Sequence, residues 1–247
     1  MLIKNKTAVI TGCNRGIGEK ILEVFSENGA NIFACVREID NNFKSQIKKI
    51  EKKYKNKITP IQLDLSNIEN VKIAAKDIIS KCGNLDILVN NAGSIYTGLF
   101  SMTTSKKLKE LFEINFFSQS EFTQYLIKPM LKNKKGNIIF VSSTSGIDGN
   151  IGRSAYSSSK AALIIQSKSM AKELGRYNIR VNCVAPGLTD TRMMTENTDQ
   201  KNIDQFIETT SLKRLASAEE IANVILFLSS DLSSYITGQT VRVDGGI

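Results

Sequence analysis

The chain has 247 residues, 41% of them hydrophobic, with 3 prolines and no Gly/Ser-rich linker, which predicts one domain with a substantial core. Its net charge is +9, yet no aromatic-rich RNA-binding motif or zinc-finger spacing accompanies the basic excess, so nucleic acid is not the expected partner. There is no histidine, the 4 cysteines are scattered without a CxxC pair, and no apolar run approaches about 18 residues, which argues against a metal site and a membrane helix.

The opening carries no signal-peptide pattern, and the scattered cysteines read as small buried residues of a reducing compartment, so a cytoplasmic location is expected. The first element is the β-rich run TAVIT (7–11), bounded by glycine. GEKILEVFSENGA (18–30) then sets Ile21, Leu22 and Phe25 on one helical face, with Gly29 as its cap. NIFACV (31–36) is strand-like. KSQIKKIEKKYKNK (44–57) follows, where Phe43, Ile47, Ile50 and Tyr54 make the buried stripe of a helix with a solvated lysine face. ITPIQLDL (58–65) predicts a strand, 67–82 a helix, and LDILVNNAG (85–93) a buried strand that ends in a turn. One long helix is expected over 104–131, a strand at NIIFVSS (137–143), a helix over 154–176, and a strand at IRVNCVAPG (179–187). EEIANVILFLSS (219–230) predicts the last helix and TVRVDGG (240–246) the last strand. Apolar strands alternating with helices predict an α/β fold: one doubly wound Rossmann-like domain, with a parallel sheet covered by helices on both faces.

In such sheets the ligand crevice lies beyond the C-terminal strand ends. The first strand runs into TGCNRGIG, where Gly12, Gly16 and Gly18 replace the usual G-x-G-x-x-G spacing. The physics is shared: a tight turn, backbone that can approach a pyrophosphate, and a helix N-terminus offering free N–H groups to phosphate. Asn14, Arg15 and Ile17 complete this candidate cofactor loop. At the end of the second strand, Val36 stands where an NAD site places an acid. Arg37 follows it, and with Arg15 it can grip a 2′-phosphate, so the expected cofactor is NADPH/NADP+. Asp64 and Leu65, after the third strand, are placed for the adenine. Further on, AYSSSK (155–160) sets Tyr156 and Lys160 four residues apart, which by itself fits either a catalytic pair or the polar side of a helix.

TGCNRGIG, NNAG (90–93), Asn115, Ser143, YSSSK (156–160) and APG (185–187), in this order, resemble the short-chain dehydrogenase/reductase family over nearly the whole chain. The resemblance implies a sheet of about seven strands, a homotetramer built on the two long helices, and hydride exchange with nicotinamide. It makes Tyr156 the general acid/base, Lys160 its partner, Ser143 the residue that orients the substrate carbonyl, and Asn115 the holder of a relay water. Asn90, Asn91, Ala92 and Gly93 would form the turn beside the adenosine ribose, and Pro186, Gly187 and Thr191 would enclose the nicotinamide. Ser142 is the rival for the serine role, because a strand alternates its faces. Ser157, Ser158 and Ser159 read as spacers.

The chemistry explains these residue types. Reduction puts hydride on carbon and a proton on oxygen, so donors must converge on that oxygen. A free phenol has a pKa of about 10. A lysine ammonium one turn away, with the positive charge of oxidised nicotinamide, is expected to lower it by roughly 2 to 3 pH units.

Within the family the chain is most similar in look to the 3-oxoacyl-acyl-carrier-protein reductases, which implies reduction of a carrier-bound 3-oxoacyl thioester in fatty acid biosynthesis. Lys134 falls where that group has one basic carrier-docking residue. Tyr177 falls at the other, beside Arg176. The stretch SIYTGLFSMT after NNAG lacks the arginine common there. A substrate lid is expected around 188–210, with Met193 and Met194 for apolar contact. Two other readings stay open: a ketoreductase for a surface-polysaccharide or secondary-metabolite intermediate, and a catalytically silent NADPH-binding sensor or scaffold.

Overall fold

The structure, a computed structural model, describes residues 1–247. Seven strands form it: β1 (Thr7–Thr11), β2 (Asn31–Val36), β3 (Ile58–Gln62), β4 (Ile87–Asn90), β5 (Gly136–Val141), β6 (Ile179–Pro186) and β7 (Thr240–Val243). They make one sheet in the order β3-β2-β1-β4-β5-β6-β7. Every pairing is parallel. The expected doubly wound sheet is therefore observed.

Period-two alternation divides the core between the faces of the sheet. Ala8 and Ile10 of β1 join one cluster of 26 buried residues, and Val9 joins the other, of 25. The first cluster is covered by α1 (Gly16–Glu27), α2 (Asn41–Tyr54) and, from the far end of the chain, α10 (Ala218–Ser229). The second is covered by α3 (Ile68–Lys81), α5 (Ser118–Asn133) and α7 (Ser154–Leu174). Between these lie α4 (Ser105–Phe112), α6 (Ser145–Asp148), α8 (Arg192–Asn197) and α9 (Gln200–Thr209). All four cysteines are buried and free. No helix is long and apolar enough to cross a membrane.

The expected single helix over 104–131 is two helices joined by a π-helical turn at Glu113–Phe117. Hydrophobic periodicity cannot register one extra residue per turn, and such turns recur at functional sites. Asn115 sits within this one. Strand order reverses between β1 and β4, so the crevice of the switch point opens above Thr11 and Asn90.

Candidate active site

The C-terminal ends of β1, β4, β5 and β6 open onto a cavity of about 990 Å³. At one end lies the glycine loop. Gly12 and Gly16 hold φ of +75° and +59°, which residues with a Cβ rarely adopt. Helix α1 starts at Gly16 rather than Gly18, and no side chain caps its N-terminus. Its leading N–H groups are thus left to the cavity, an arrangement suited to a pyrophosphate. Gly18 packs so tightly that a Cβ there would lie 1.9 Å from the Gly12 carbonyl oxygen. A dinucleotide therefore fits this cradle on the backbone's own evidence.

Thr11 locks the loop to the next strand end. Its Oγ1 accepts from the N–H groups of Asn91 and Ala92, each at 2.9 Å. The Asn91 side chain donates back to the Thr11 carbonyl at 2.9 Å. Asn90, grouped with this turn on resemblance, faces the other way: it is fully buried and donates to Thr123 Oγ1 at 2.9 Å. Strand alternation sends the two asparagines to opposite faces. Arg15 and Arg37 are both exposed on the rim of the cavity. Asp64 accepts from the N–H and hydroxyl of Ser66, which, helped by the Arg37 guanidinium, holds its carboxyl below the usual range.

At the other end Ser143, Tyr156 and Lys160 converge. Tyr156 lies in the first turn of α7, with Lys160 one turn further on. Lys160 is buried, and its Nζ donates to the Val141 carbonyl at 2.9 Å and stands 6.0 Å from the Tyr156 ring centre. Ser143 faces the Tyr156 phenol. Ser142 is turned away and donates to the Lys160 carbonyl at 2.8 Å, so of the two serines Ser143 is the one that faces the phenol.

Burial pushes the Tyr156 phenol up, while the Ser143 hydroxyl and the Arg153 guanidinium pull it down. The expected lowering by Lys160 is not what dominates within the chain, because its ammonium is spent on a backbone carbonyl and is itself burdened by burial. That burial pushes the Lys160 amine down from 10.5 to about 8. The unfolded chain then binds more protons than the folded one between pH 8 and 10.5, so this residue's contribution to stability rises with pH through that window. Lys160→Met is expected to remove that rise. Denaturant unfolding at pH 7 and pH 9.5 should show wild type gaining on the variant as pH increases. An identical pH response of the two would mean that Lys160 carries no burial cost.

Asn115 does not line the cavity; it is fully buried behind Gly93. Its Oδ1 accepts from the Ser94 N–H at 2.7 Å, and its Nδ2 donates to the Ser94 carbonyl at 2.8 Å and to Ser159 Oγ at 3.0 Å. Ser159 in turn donates to the Tyr156 carbonyl at 2.7 Å, so it is more than a spacer: it ties the π-helical turn to α7. The residues read from the sequence as cofactor contacts line the cavity, from Gly12 through Asp64 and Gly93 to Thr191, with the exception of Asn90. Thr191 caps α8 and stands 3.4 Å from where a Gly16 Cβ would be, closing the cavity over the loop.

A family model described as enoyl-(acyl carrier protein) reductase matches residues 12–247. The chain is 36% identical over 247 residues to the 3-oxoacyl-[acyl-carrier-protein] reductase FabG of Thermotoga maritima, covering 100% of this chain and 99% of that one. The short-chain dehydrogenase/reductase family is the one these matches share with the cavity's motifs. The chain belongs to it. Nodulation protein G of a Rhizobium species is 31% identical, with 99% and 98% covered. Among solved structures, YwfH, an NADPH-dependent reductase involved in bacilysin biosynthesis, superposes with a TM-score of 0.92 at 27% identity, covering 98% of each chain. A structure described as a short chain dehydrogenase/reductase family protein gives 0.87 at 28% identity, covering 100% of this chain and 98% of that one.

In this family member the sequence reading missed Arg153 and Thr97, both of which line the cavity. Arg153 lies only three residues before Tyr156, which was the available signal. The segment expected as a lid lines the cavity with Met193 and Met194, as expected, and also with the polar Asn197, Thr198, Asn202 and Gln205.

Proposed function

We propose that this chain reduces the ketone of a 3-oxoacyl thioester, presented by an acidic acyl carrier protein, with NADPH as cofactor. The observation that carries the reading is the facing pair of Ser143 and Tyr156 hydroxyls, at the opposite end of one cavity from an uncapped glycine-loop helix flanked by Arg15 and Arg37. NADPH, when bound, supplies the hydride. Ser143 orients the ketone oxygen, and Tyr156 gives it the proton. Lys160 and Asn115 hold Tyr156 and the turn at Gly93 in place. Two hydroxyls on one oxygen stabilise the charge that develops there. Residues 188–210 act as the lid over this site.

The 36% identity to 3-oxoacyl-[acyl-carrier-protein] reductases supports the thioester substrate. A second reading, another ketone, draws support from the YwfH likeness and from Asn197, Thr198, Asn202 and Gln205, which line the cavity beside Met193, Met194 and Phe206. Lys134 and Arg176 are exposed but precede the first residues of β5 and β6, at the end of the sheet away from the cavity, so carrier docking draws no support from their position in this chain. Assembly as a homotetramer through α4, α5 and α7 is supported by Leu108, Phe117 and Ile165, which are exposed apolar residues on or beside these helices. Four buried free thiols accord with a cytoplasmic location.

NADPH oxidation with acetoacetyl thioesters on carrier protein and on coenzyme A, with NADH as control, tests the reading. Fast turnover favouring carrier and NADPH is expected. NADPH binding without turnover of either thioester would overturn the substrate and favour the second reading. Arg37→Ala should weaken NADPH by about 1 to 3 kcal/mol and NADH far less, since a charged hydrogen bond to the 2′-phosphate is lost. Equal losses for the two cofactors would show that Arg37 does not read that phosphate.

A further inference from the structure

Helices α8 and α9 reach distant parts of the chain by hydrogen bonds at one place only, the end of α8. Arg153 Nη2 donates to the Asn197 carbonyl at 2.8 Å and to Thr198 Oγ1 at 3.3 Å. Thr97 Oγ1 donates to the same carbonyl at 3.4 Å. That carbonyl ends α8, where a helix leaves its last acceptors without donors of its own. The other hydrogen bonds of α8 and α9 stay within the two helices or go to the residues that flank them. Met194 and Ile203 are the buried side chains of the pair.

The two donors come from segments far apart in sequence, Arg153 from the residue before α7 and Thr97 from the turn after NNAG. Their neighbours are bonded to each other: the Gly98 N–H donates to the Gly152 carbonyl at 2.9 Å. The body of the chain therefore presents both donors at a fixed spacing to the one carbonyl. The junction also separates two cavities. Ile95, Thr97, Asn197, Thr198 and Asp199 line both the cavity described above and a neighbouring one of about 520 Å³. One short charged bond, two longer ones and two buried side chains hold the segment only lightly, as a lid that opens in each turnover requires.

We propose that Arg153 and Thr97 are positioning residues that latch the lid shut through the Asn197 carbonyl, and that release of this carbonyl opens the cavity to its neighbour for entry and exit of the ketone substrate. This rests on the function proposed above and names the residues that control access to that site. Latched, α8 keeps Met193 and Met194 on the cavity wall. Unlatched, the far end of α8 is held by its buried side chains alone. Arginine suits the task because one nitrogen of its planar guanidinium carries two N–H groups, one for the carbonyl and one for the Thr198 hydroxyl.

The test reads the lid and the reaction separately, on the full chain with NADPH added. Limited trypsin digestion followed by mass spectrometry measures cleavage after Arg192 and Lys201, which lie in α8 and α9. Arg153→Met is expected to speed cleavage at these two sites by roughly 10-fold, as loss of a charged hydrogen bond implies, with Tm within a few degrees of wild type. Thr97→Val keeps the shape and removes the hydroxyl, so it should speed cleavage by about 2- to 5-fold, and Arg153→Lys should restore part of the protection that Arg153→Met loses. KM for acetoacetyl coenzyme A should rise in the same order as cleavage, and by more than kcat changes. Cleavage at the wild-type rate in Arg153→Met would overturn the latch. So would faster cleavage spread along the whole chain with a large fall in Tm, which marks a structural role. Faster cleavage with an unchanged KM would overturn the control of substrate access. Should Arg153→Met fail to fold, wild-type cleavage in both Thr97→Val and Arg153→Lys overturns the latch instead. Failure of the proposed function shows separately, as wild type that turns over no thioester, and the cleavage rates still decide the latch in that case.

Discussion

Tyr156→Phe is expected to lower turnover by about 10³-fold or more, while NADPH binding stays within a few-fold of wild type. The change removes one oxygen from the wall of the cavity and leaves the ring to pack as before. No other group stands ready to give the proton. The chain has no histidine. Lys160 is held on the Val141 carbonyl, 6.0 Å from the ring centre. Ser143 is an unactivated hydroxyl whose oxygen already accepts from the Ser145 N–H. A thousandfold loss corresponds to about 4 kcal/mol of transition-state stabilisation, within reach of a lost proton donor combined with a lost donor to developing charge. Saturating kinetics read beside a fluorescence titration of NADPH separates the two effects. Turnover within tenfold of wild type would end the assignment of Tyr156 as proton donor.

Gly18→Ala is expected to cost about 2 to 4 kcal/mol of stability, lowering Tm by about 5 to 15 °C, and to weaken the dinucleotide at least tenfold. The added methyl would lie 1.9 Å from the Gly12 carbonyl oxygen and 2.6 Å from Asn91 Nδ2. The first neighbour is backbone and cannot swing aside. The second is the side chain that ties the NNAG turn to β1. Relief therefore requires α1 to move off the strand, and the uncapped N-terminus moves with it. Gly83→Ala is the matched control, because a methyl there meets nothing within 4 Å. A Gly18→Ala chain that melts with the Gly83→Ala chain and binds the dinucleotide normally would show that the loop is not held as tightly as its packing implies.

The strand ends and the residues on them are legible in order, because each strand is a short apolar run that stops at turn residues. That is why the order of residues alone places Gly12, Asp64, Gly93, Ser143 and Pro186 beside one crevice. The choice between Ser142 and Ser143 can be framed by alternation but not made, since which face meets the crevice depends on how β5 sits between β4 and β6. Asn115 is found by its place in the family pattern, but the partners of its side chain are not legible in the sequence. Its oxygen and nitrogen are taken up by Ser94 and Ser159, partners 21 and 44 residues away.

Local chemistry is what one chain of letters carries well. The glycine spacing of TGCNRGIG, the i,i+4 spacing of Tyr156 and Lys160, and a basic residue directly after a strand (Arg37) are short-range facts, and they pointed to the cofactor end and the candidate acid/base of this protein. Tertiary structure decided what rests on distance in space. It broke the long helix at Glu113–Phe117, buried Lys160 so that its amine falls to about 8, and brought Asn197 of α8 onto Arg153, 44 residues earlier. Burial and hydrogen-bond partnership are properties of neighbours, and only the folded sheet, with its helices laid across the strand ends, says who those neighbours are.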